Sequence, residues 1–564
     1  MNLAGFKLHD FGKQNYFRAF VILIFIFGAL LRLVRLEQIP QGLYFDEILY
    51  GLDGYSILKT GRDIYGHFMP LAFQSSGYYP PLYPYALVPF LALFGLSAWV
   101  VRLPAALAGI ATVIFFFLLV KETAVKSSKF LALCGTLVLT LLPWHIHLSR
   151  VSFLANFGLA FLIGGTYFLV KGKHSKSSFI LGTLLMAIST QAHYGYKLIA
   201  PVIFIGICIF ESNVILEIKS VVSVFMARFS TGRLRKNQDF FARIKYLMNS
   251  GSTKTPALVF LKKRKVPILA SVLIWIATAV LGIISYSKYN AGFRVSELSD
   301  RNIFSIILEY FRSFSLNYFF FKGDQYRLNN PWGVGQLPLI LLPYILLGVL
   351  GISKQNKTVK IIVGSFLFVS PIPSAIAGLG QHSVRNSPMI IPLVFLAAIG
   401  ANLLLTLSKN KKAVALLIFV SLIIFLVDIF GKLEYLFGKY GSDYADLWGS
   451  NQRAAVAFAD KSQVQTRVFI DSYNVILSYF AFVHKTPPVL LQKSILMPIT
   501  VFGLPAKTVD GYLFLSTEEG FNHEYWQNLP ANILIVDTVF YSDSTSFKTV
   551  TSGNKNIFQY FKTE

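Results

Sequence analysis

The sequence predicts a polytopic α-helical membrane protein of about eleven spans, with a large first external loop and a small external α/β domain at its C-terminal end. Three observations carry this. The chain is 54% hydrophobic and only 14% charged, with a mean hydropathy of +0.57, whereas soluble globular proteins carry about a quarter charged residues. Several runs reach the ~20 apolar residues that a spanning helix needs. The net charge of +25 gathers in short loops between those runs, as membrane topology demands, so the expected partner is the bilayer and not nucleic acid. Cys134 and Cys208 fall inside apolar runs, and no disulfide framework is implied.

The first apolar run, 17–36, follows Lys7, Lys13 and Arg18 and continues into Arg32-Leu-Val-Arg35 without a small-residue cleavage site. It reads as an uncleaved anchor with its N-terminus inside. The segment 37–103 follows as the external loop. Within it, 46–58 reads as a helix ended by Thr60-Gly61. The apolar stretch 82–95 opens with Pro80-Pro81 and is too short to span, so it is placed at the interface. Further spans fall near 104–120, 130–143, 154–170, 178–192, 197–211, 267–286, 337–352, 359–371, 388–407 and 413–431.

Loop charge sets the orientation. The loops 121–129, 171–177, 212–266, 353–358 and 408–412 hold 23 Lys and Arg, against 8 in 144–153, 193–196, 287–336 and 372–387. The basic set belongs inside, which puts the N-terminus in the cytoplasm and the tail outside a plasma (inner) membrane. A span at 82–95 would reverse the bias. The basic 212–266 loop reads as a contact with anionic inner-leaflet lipid. Residues 432–564 are more polar, with the β-rich runs Arg467–Asp471 and Ile533–Asp537, and about 130 residues can bury an independent core. The chain divides into a membrane unit, 1–431, and an external unit, 432–564.

Asp46-Glu47 lies just past the outer end of the first span. Acids so near a bilayer are costly to keep and mark function by default. On a helix, Asp46, Tyr50 and Asp53 share one face; the plainer alternative is an acidic pair answering the helix amides and dipole, and spacing leaves both open. In Gly380–Pro388, His382 and Arg385 are three apart, and the planar fork of arginine suits phosphate oxygens. The alternative is an arginine snorkelling to headgroups. In Pro143–Phe153, His145 and His147 lack the further ligands a zinc site needs, and Arg150 is the more useful cation. Tyr78–Tyr85 is richer in aromatics than interface anchoring requires.

Taken together these residues resemble the GT-C superfamily of membrane glycosyltransferases, in particular the protein O-mannosyltransferase and aminoarabinose-transferase group (glycosyltransferase family 39 and its bacterial relatives). The matching residues are Asp46-Glu47, Leu58-Lys-Thr-Gly-Arg-Asp63 with Tyr65-Gly66, Tyr79-Pro-Pro-Leu82, Arg102-Leu-Pro104, Ser149-Arg150 and His382-Ser-Val-Arg385, across roughly 15–430. The resemblance implies interfacial helices above a helical bundle, a polyprenyl-phosphate-linked sugar as donor, and Asp46 as catalytic base with Glu47 assisting. Arg385, His382, Arg150, Asp53 and Tyr79 are the expected substrate-binding residues. Leu154 stands where relatives often place a second acid, and Tyr79 where aminoarabinose transferases carry a lysine. No cofactor is certain, and a divalent metal finds no support.

The expected activity is transfer of a sugar to a hydroxyl of a lipid, glycan or protein on the outer face, with inversion. The competing class is a transporter or lipid flippase. Such proteins tend to carry ionisable groups or broken helices near the midplane, whereas these spans hold almost no acids.

Overall fold

The computed structural model describes residues 8–75, 77–123, 128–211, 265–289, 301–501, 504–516, 532–537, 548–552 and 555–562. The 212–266 loop, and with it the expected lipid contact, lies almost wholly outside the described residues. The membrane unit begins with α1 (Leu8–Leu33). The first loop then forms α2 (Phe45–Thr60) and α3 (Leu82–Phe94). There follow α4 (Ala98–Thr123), α5 (Ser128–Leu141), α6 (Pro143–Arg150), α7 (Leu154–Lys171), α8 (Lys176–Ser189) and α9 (Tyr196–Glu211). After the basic loop come α10 (Lys265–Tyr289), α11 (Ile303–Arg312), α12 (Leu341–Gly351), α13 (Lys357–Val369), α14 (Ile390–Leu407) and α15 (Lys411–Gly438).

The protein is a multi-span membrane protein. Among the described residues, seven helices are long and apolar enough to cross a membrane, or eight if the bent pair α5–α6 is one span. Each of the eleven expected runs is helical, but α8, α9 and α12 are shorter than 18 residues. The 82–95 stretch forms the 13-residue α3.

Within 144–153 the chain is more than a connection: Pro143–Arg150 forms a helix whose every residue is buried. Proline lacks the N–H that would continue α5 and clashes with the preceding turn, so the chain turns through extended Leu142 and resumes at 56°. The break folds Trp144, His145, His147 and Arg150 back into the protein.

Helix α2 stops where its sequence provides a left-handed cap. Gly61 has φ +69°, and its amide bonds the Ile57 carbonyl, a conformation that costs glycine no Cβ clash. Elsewhere two glycines permit a close crossing. A Cβ on Gly348 of α12 would lie 2.0 Å from the Leu396 carbonyl oxygen, and one on Gly400 of α14 would lie 1.9 Å from that of Tyr344. Small residues let apolar helices approach until backbone meets backbone.

The C-terminal region adds α16 (Ser450–Lys461), α17 (Val475–Val483) and α18 (Pro488–Leu496) to a seven-stranded sheet. The strands are β1 (Thr466–Ile470), β2 (Ile499–Val501), β3 (Leu504–Val509), β4 (Tyr512–Leu515), β5 (Ile533–Asp537), β6 (Lys548–Ser552) and β7 (Lys555–Lys562), in the order β2-β3-β4-β1-β5-β7-β6. Central β1 runs parallel to β4 and β5, and the outer pairs are antiparallel. All five residues of β5 are buried, as expected of a parallel strand covered on both faces.

One face of this sheet has a cluster of its own, around Val468, Ile470 and Ile535, and the other is shared. Ile476, Leu477 and Phe480 of α17, with Phe469 and Val536 of the sheet, belong to the same apolar cluster as Leu49 and Leu52 of α2 and Leu87 of α3. The first loop and the C-terminal region therefore share a core. Replacing Gly400 by valine should push α12 and α14 apart and lower stability by about 1–3 kcal/mol, read as a drop in the thermal unfolding midpoint of the detergent-solubilised protein.

Candidate active site

The turn between α1 and α2 is built around two buried guanidinium groups. A helix leaves its last carbonyls without partners, and at the end of α1 Arg150 supplies the donors. It bonds the carbonyls of Leu31 at 2.8 Å, Val34 at 2.9 Å, Arg35 at 3.2 Å and Ile39 at 3.1 Å. Arg102, entering from α4, takes the next stretch, bonding the carbonyls of Leu36, Pro40 and Gly42 at 3.2, 2.7 and 2.5 Å. Its remaining face forks onto Glu47, with Nε to Oε1 and Nη2 to Oε2 both at 2.9 Å and both side chains wholly buried. Glu47 also accepts the Ser152 amide at 3.0 Å and the Tyr44 amide at 3.3 Å. The last of these is half of a capping box at the start of α2.

Glu47 is thereby held at the centre of a buried network. Its two oxygens accept four hydrogen bonds and none of its surface reaches solvent. Arg150 is buried against the ring of Phe437, with its terminal nitrogens bonded to carbonyls. It closes a helix end.

Asp53 and Tyr79 are brought together, but not on a surface. Asp53 is wholly buried, and it accepts the Tyr79 hydroxyl at 2.5 Å, the Ser75 hydroxyl at 2.7 Å and the Ile64 amide at 3.1 Å. These bonds tie the 62–81 segment to α2, so both residues hold the loop in place and neither is open to substrate. Burial pushes the Asp53 carboxyl up to about 7, the nearby Asp63 charge adds to the rise, and the three donors oppose it.

Asp46 is the one acid of α2 that remains partly exposed. Its charge is close enough to raise the phenols of Tyr326 and Tyr479, after burial, which is the larger cause in both. Tyr326 sits on the 322–336 loop, which Asp324 clamps to the 380–388 loop. Asp324 accepts the Ser383 amide and hydroxyl at 2.8 and 3.1 Å, and the Asn329 amide at 3.1 Å. His147 Nε2 donates to the Leu328 carbonyl at 2.7 Å from α6, and the Trp144 indole donates to Ser383 at 3.1 Å. His382 and Arg385 stand in this clamped loop, half-buried, with the Arg385 amide 3.4 Å from His382 Nδ1. Burial pulls the His382 imidazole down to about 4, the Arg385 charge acts the same way and Asp324 opposes, so the ring is neutral at pH 7.

Three contributors lay beyond local pattern reading. Asp324 and Tyr326 join the two outer loops, and Arg453 of α16 approaches from the C-terminal region. Arg453 is half-buried beside Gly42, Tyr479 and Arg102. Burial raises the Tyr479 phenol most, with the Arg453 charge opposing and the Glu47 and Asp46 charges adding to the rise. The stretch around Arg453 carries no motif that could have flagged it. Among the described residues, no three His, Cys, Asp or Glu side chains group closely enough to hold a metal ion.

No protein-family model and no curated protein matches the chain. Solved structures do. ArnT from Cupriavidus metallidurans in the apo state aligns over 98% of this chain and 98% of its own, at 12% identity and a TM-score of 0.50. The same protein bound to undecaprenyl phosphate aligns over 96% and 98%, at 12% identity and a TM-score of 0.48. The archaeal oligosaccharyltransferase AglB from Archaeoglobus fulgidus, in complex with an inhibitory peptide and a dolichol-phosphate, aligns over 84% of this chain and 64% of its own, at 12% identity and a TM-score of 0.47. The fold is that of GT-C membrane enzymes.

Arg102→Met should leave Glu47 charged, buried and unpaired, with an expected loss of about 3–5 kcal/mol, measured by thermal unfolding in detergent. Asp53 gives a pH signature. Its folded value lies above the unfolded one, so the stability it contributes is complete below about 4 and is lost as pH rises through about 7. Asp53→Asn should flatten that part of the stability curve, seen as the difference between wild-type and variant midpoints from pH 4 to 8.

Proposed function

We propose that this protein is a membrane glycosyltransferase that moves a sugar from a polyprenyl-phosphate-linked donor to a hydroxyl acceptor. The carrying observation is Asp46. It is the partly exposed acid of α2, and its charge is felt by Tyr326 of the 322–336 loop and by Tyr479 of the C-terminal region. The resemblance of the 45–66 block to the GT-C transferases and the shared fold support the same reading.

The chemistry follows from what the donor already provides. A sugar on a lipid phosphate leaves as a stabilised phosphate anion, so no general acid is needed, in contrast to glycoside hydrolysis. The acceptor oxygen forms its bond to the anomeric carbon while the bond from that carbon to the phosphate oxygen breaks. The electron pair departs with the polyprenyl phosphate, and the acceptor proton passes to the Asp46 carboxylate. A single displacement of this kind inverts the anomeric centre.

Positive charge must meet the phosphate as its negative charge grows. Arg385 fills this role in the proposal, with Arg453 as a second cation from the opposite wall. His382, neutral at pH 7, offers a ring nitrogen and no charge. Glu47 acts as a positioning residue: by holding Arg102 and the first turn of α2 it sets where Asp46 points. The loop-charge asymmetry supports a cytoplasmic N-terminus and an external C-terminal region, with acceptor and donor meeting at the outer face. Sugar and acceptor class (lipid, glycan or protein) stay open in this reading.

Asp46→Asn should lower donor turnover by about 10²–10⁴-fold while keeping the wild-type unfolding midpoint, measured as sugar release from synthetic polyprenyl-phosphate sugars in membranes. Full activity in that variant would remove Asp46 as the base.

A further inference from the structure

A cavity of about 240 Å³ lies between the first loop and the C-terminal region, beside α2. Phe45, adjacent to Asp46, forms part of its wall, and its apolar floor comes from α2, α17 and α18. The polar lining is of one kind: the hydroxyls of Tyr65, Tyr473 and Ser478 and the neutral amides of Gln74 and Asn474. No charged side chain lines it among the described residues. From behind, the Lys507 ammonium bonds the Asn474 side-chain oxygen, while the Asn474 amide also meets the Tyr65 hydroxyl. The amide is thereby oriented before any ligand arrives.

The rim is strained. Tyr473 and Asn474 are consecutive residues with φ of 59° and 60°, a left-handed conformation that costs a non-glycine residue about 1–2 kcal/mol. Tyr473 offsets none of this by burial, since it is 78% exposed. Such strain concentrates where side chains are aimed at ligands. Here it holds an aromatic ring in the open at the mouth of a polar cavity.

The lining selects by chemistry. An acyl chain would leave the amides and hydroxyls buried without partners, and a phosphate would find no cation. A pyranose ring suits both surfaces, because its hydroxyls each donate and accept and its C–H face can lie on an aromatic ring. The volume is below the ~300 Å³ at which sites for drug-sized ligands begin, and so suits one ring and no more. We propose that this cavity seats one neutral sugar unit of the acceptor, holding it beside Asp46. The proposal rests on the transferase reading for the word acceptor, and on the cavity alone for the sugar. Phe45 of the wall immediately precedes Asp46 at the start of α2, so an acceptor anchored here extends toward the base.

The test is saturation-transfer NMR on the full chain in nanodiscs with glucose, mannose, galactose and N-acetylglucosamine, set against glucuronate and glucosamine as charged controls. Two variants, Tyr473→Ala at the exposed rim and Gln74→Leu in the wall, are compared at matched unfolding midpoints. A neutral sugar should give a saturable signal, weakened about tenfold or more in at least one variant, the worth of one well-placed hydrogen bond. No signal from any neutral sugar, signal from charged sugars alone, or a signal unchanged in both variants would overturn the proposal. Donor turnover by the wild type, read in parallel, separates the two ideas: turnover without sugar binding sinks the cavity and spares the transferase, and binding without turnover does the reverse.

Discussion

The buried pair of Glu47 and Arg102 is the constraint on which the first loop and its surroundings depend. Removing two charges from water costs several kcal/mol for each ion, and attraction offsets this only when every remaining donor and acceptor is answered. Here they are answered almost completely: Arg102 meets three carbonyls and both carboxylate oxygens, and Glu47 meets two amides besides. One pair thus fixes the 36–47 turn, the start of α2, the wall of α4 and the approach to α7. Its neighbour Asp46, on the next face of the helix, is partly exposed. The adjacency of the two carboxylates sets Asp46 beside a side chain that cannot move.

Much of this architecture was legible in the sequence. Glycine at position 61 after a helical run stopped α2 as its backbone freedom dictates, the proline-led 82–95 stretch stayed short, and the runs beginning at Arg467 and Ile533 became neighbouring parallel strands. These features are local, and local periodicity is what a single sequence records. Pair identities were not legible, because partners lie far apart: Glu47 and Arg102 are 55 residues apart, and Tyr479 and Leu43 are 436. The partners of Arg150 and Asp53 were illegible for the same reason: the helix-end carbonyls that Arg150 meets and the hydroxyls of Ser75 and Tyr79 that Asp53 accepts lie far along the chain.

The C-terminal region carries more of the site than its distance along the chain suggests. The Tyr479 hydroxyl bonds the Leu43 carbonyl at 2.8 Å, and the Gln492 amide reaches Ser56, Thr60 and the Asp63 carbonyl at 2.9, 3.1 and 2.9 Å. These bonds brace the two ends of α2 from one side, while Arg102 and the Asp53 cluster brace it from the other. A helix held on both sides keeps its first turn, with Asp46, in one place.

That bracing also sets a timetable. The first loop leaves the ribosome hundreds of residues before the segment that completes its core, and at the usual 5–20 residues per second the gap of 436 residues amounts to roughly 20–90 s. During that interval α2 has its acids but lacks Tyr479, Gln492 and the apolar side chains that enclose it. A chain broken off before α17 would therefore display the acidic pair without the walls that organise it, so the geometry around Asp46 comes into being only once α17 and α18 have been made.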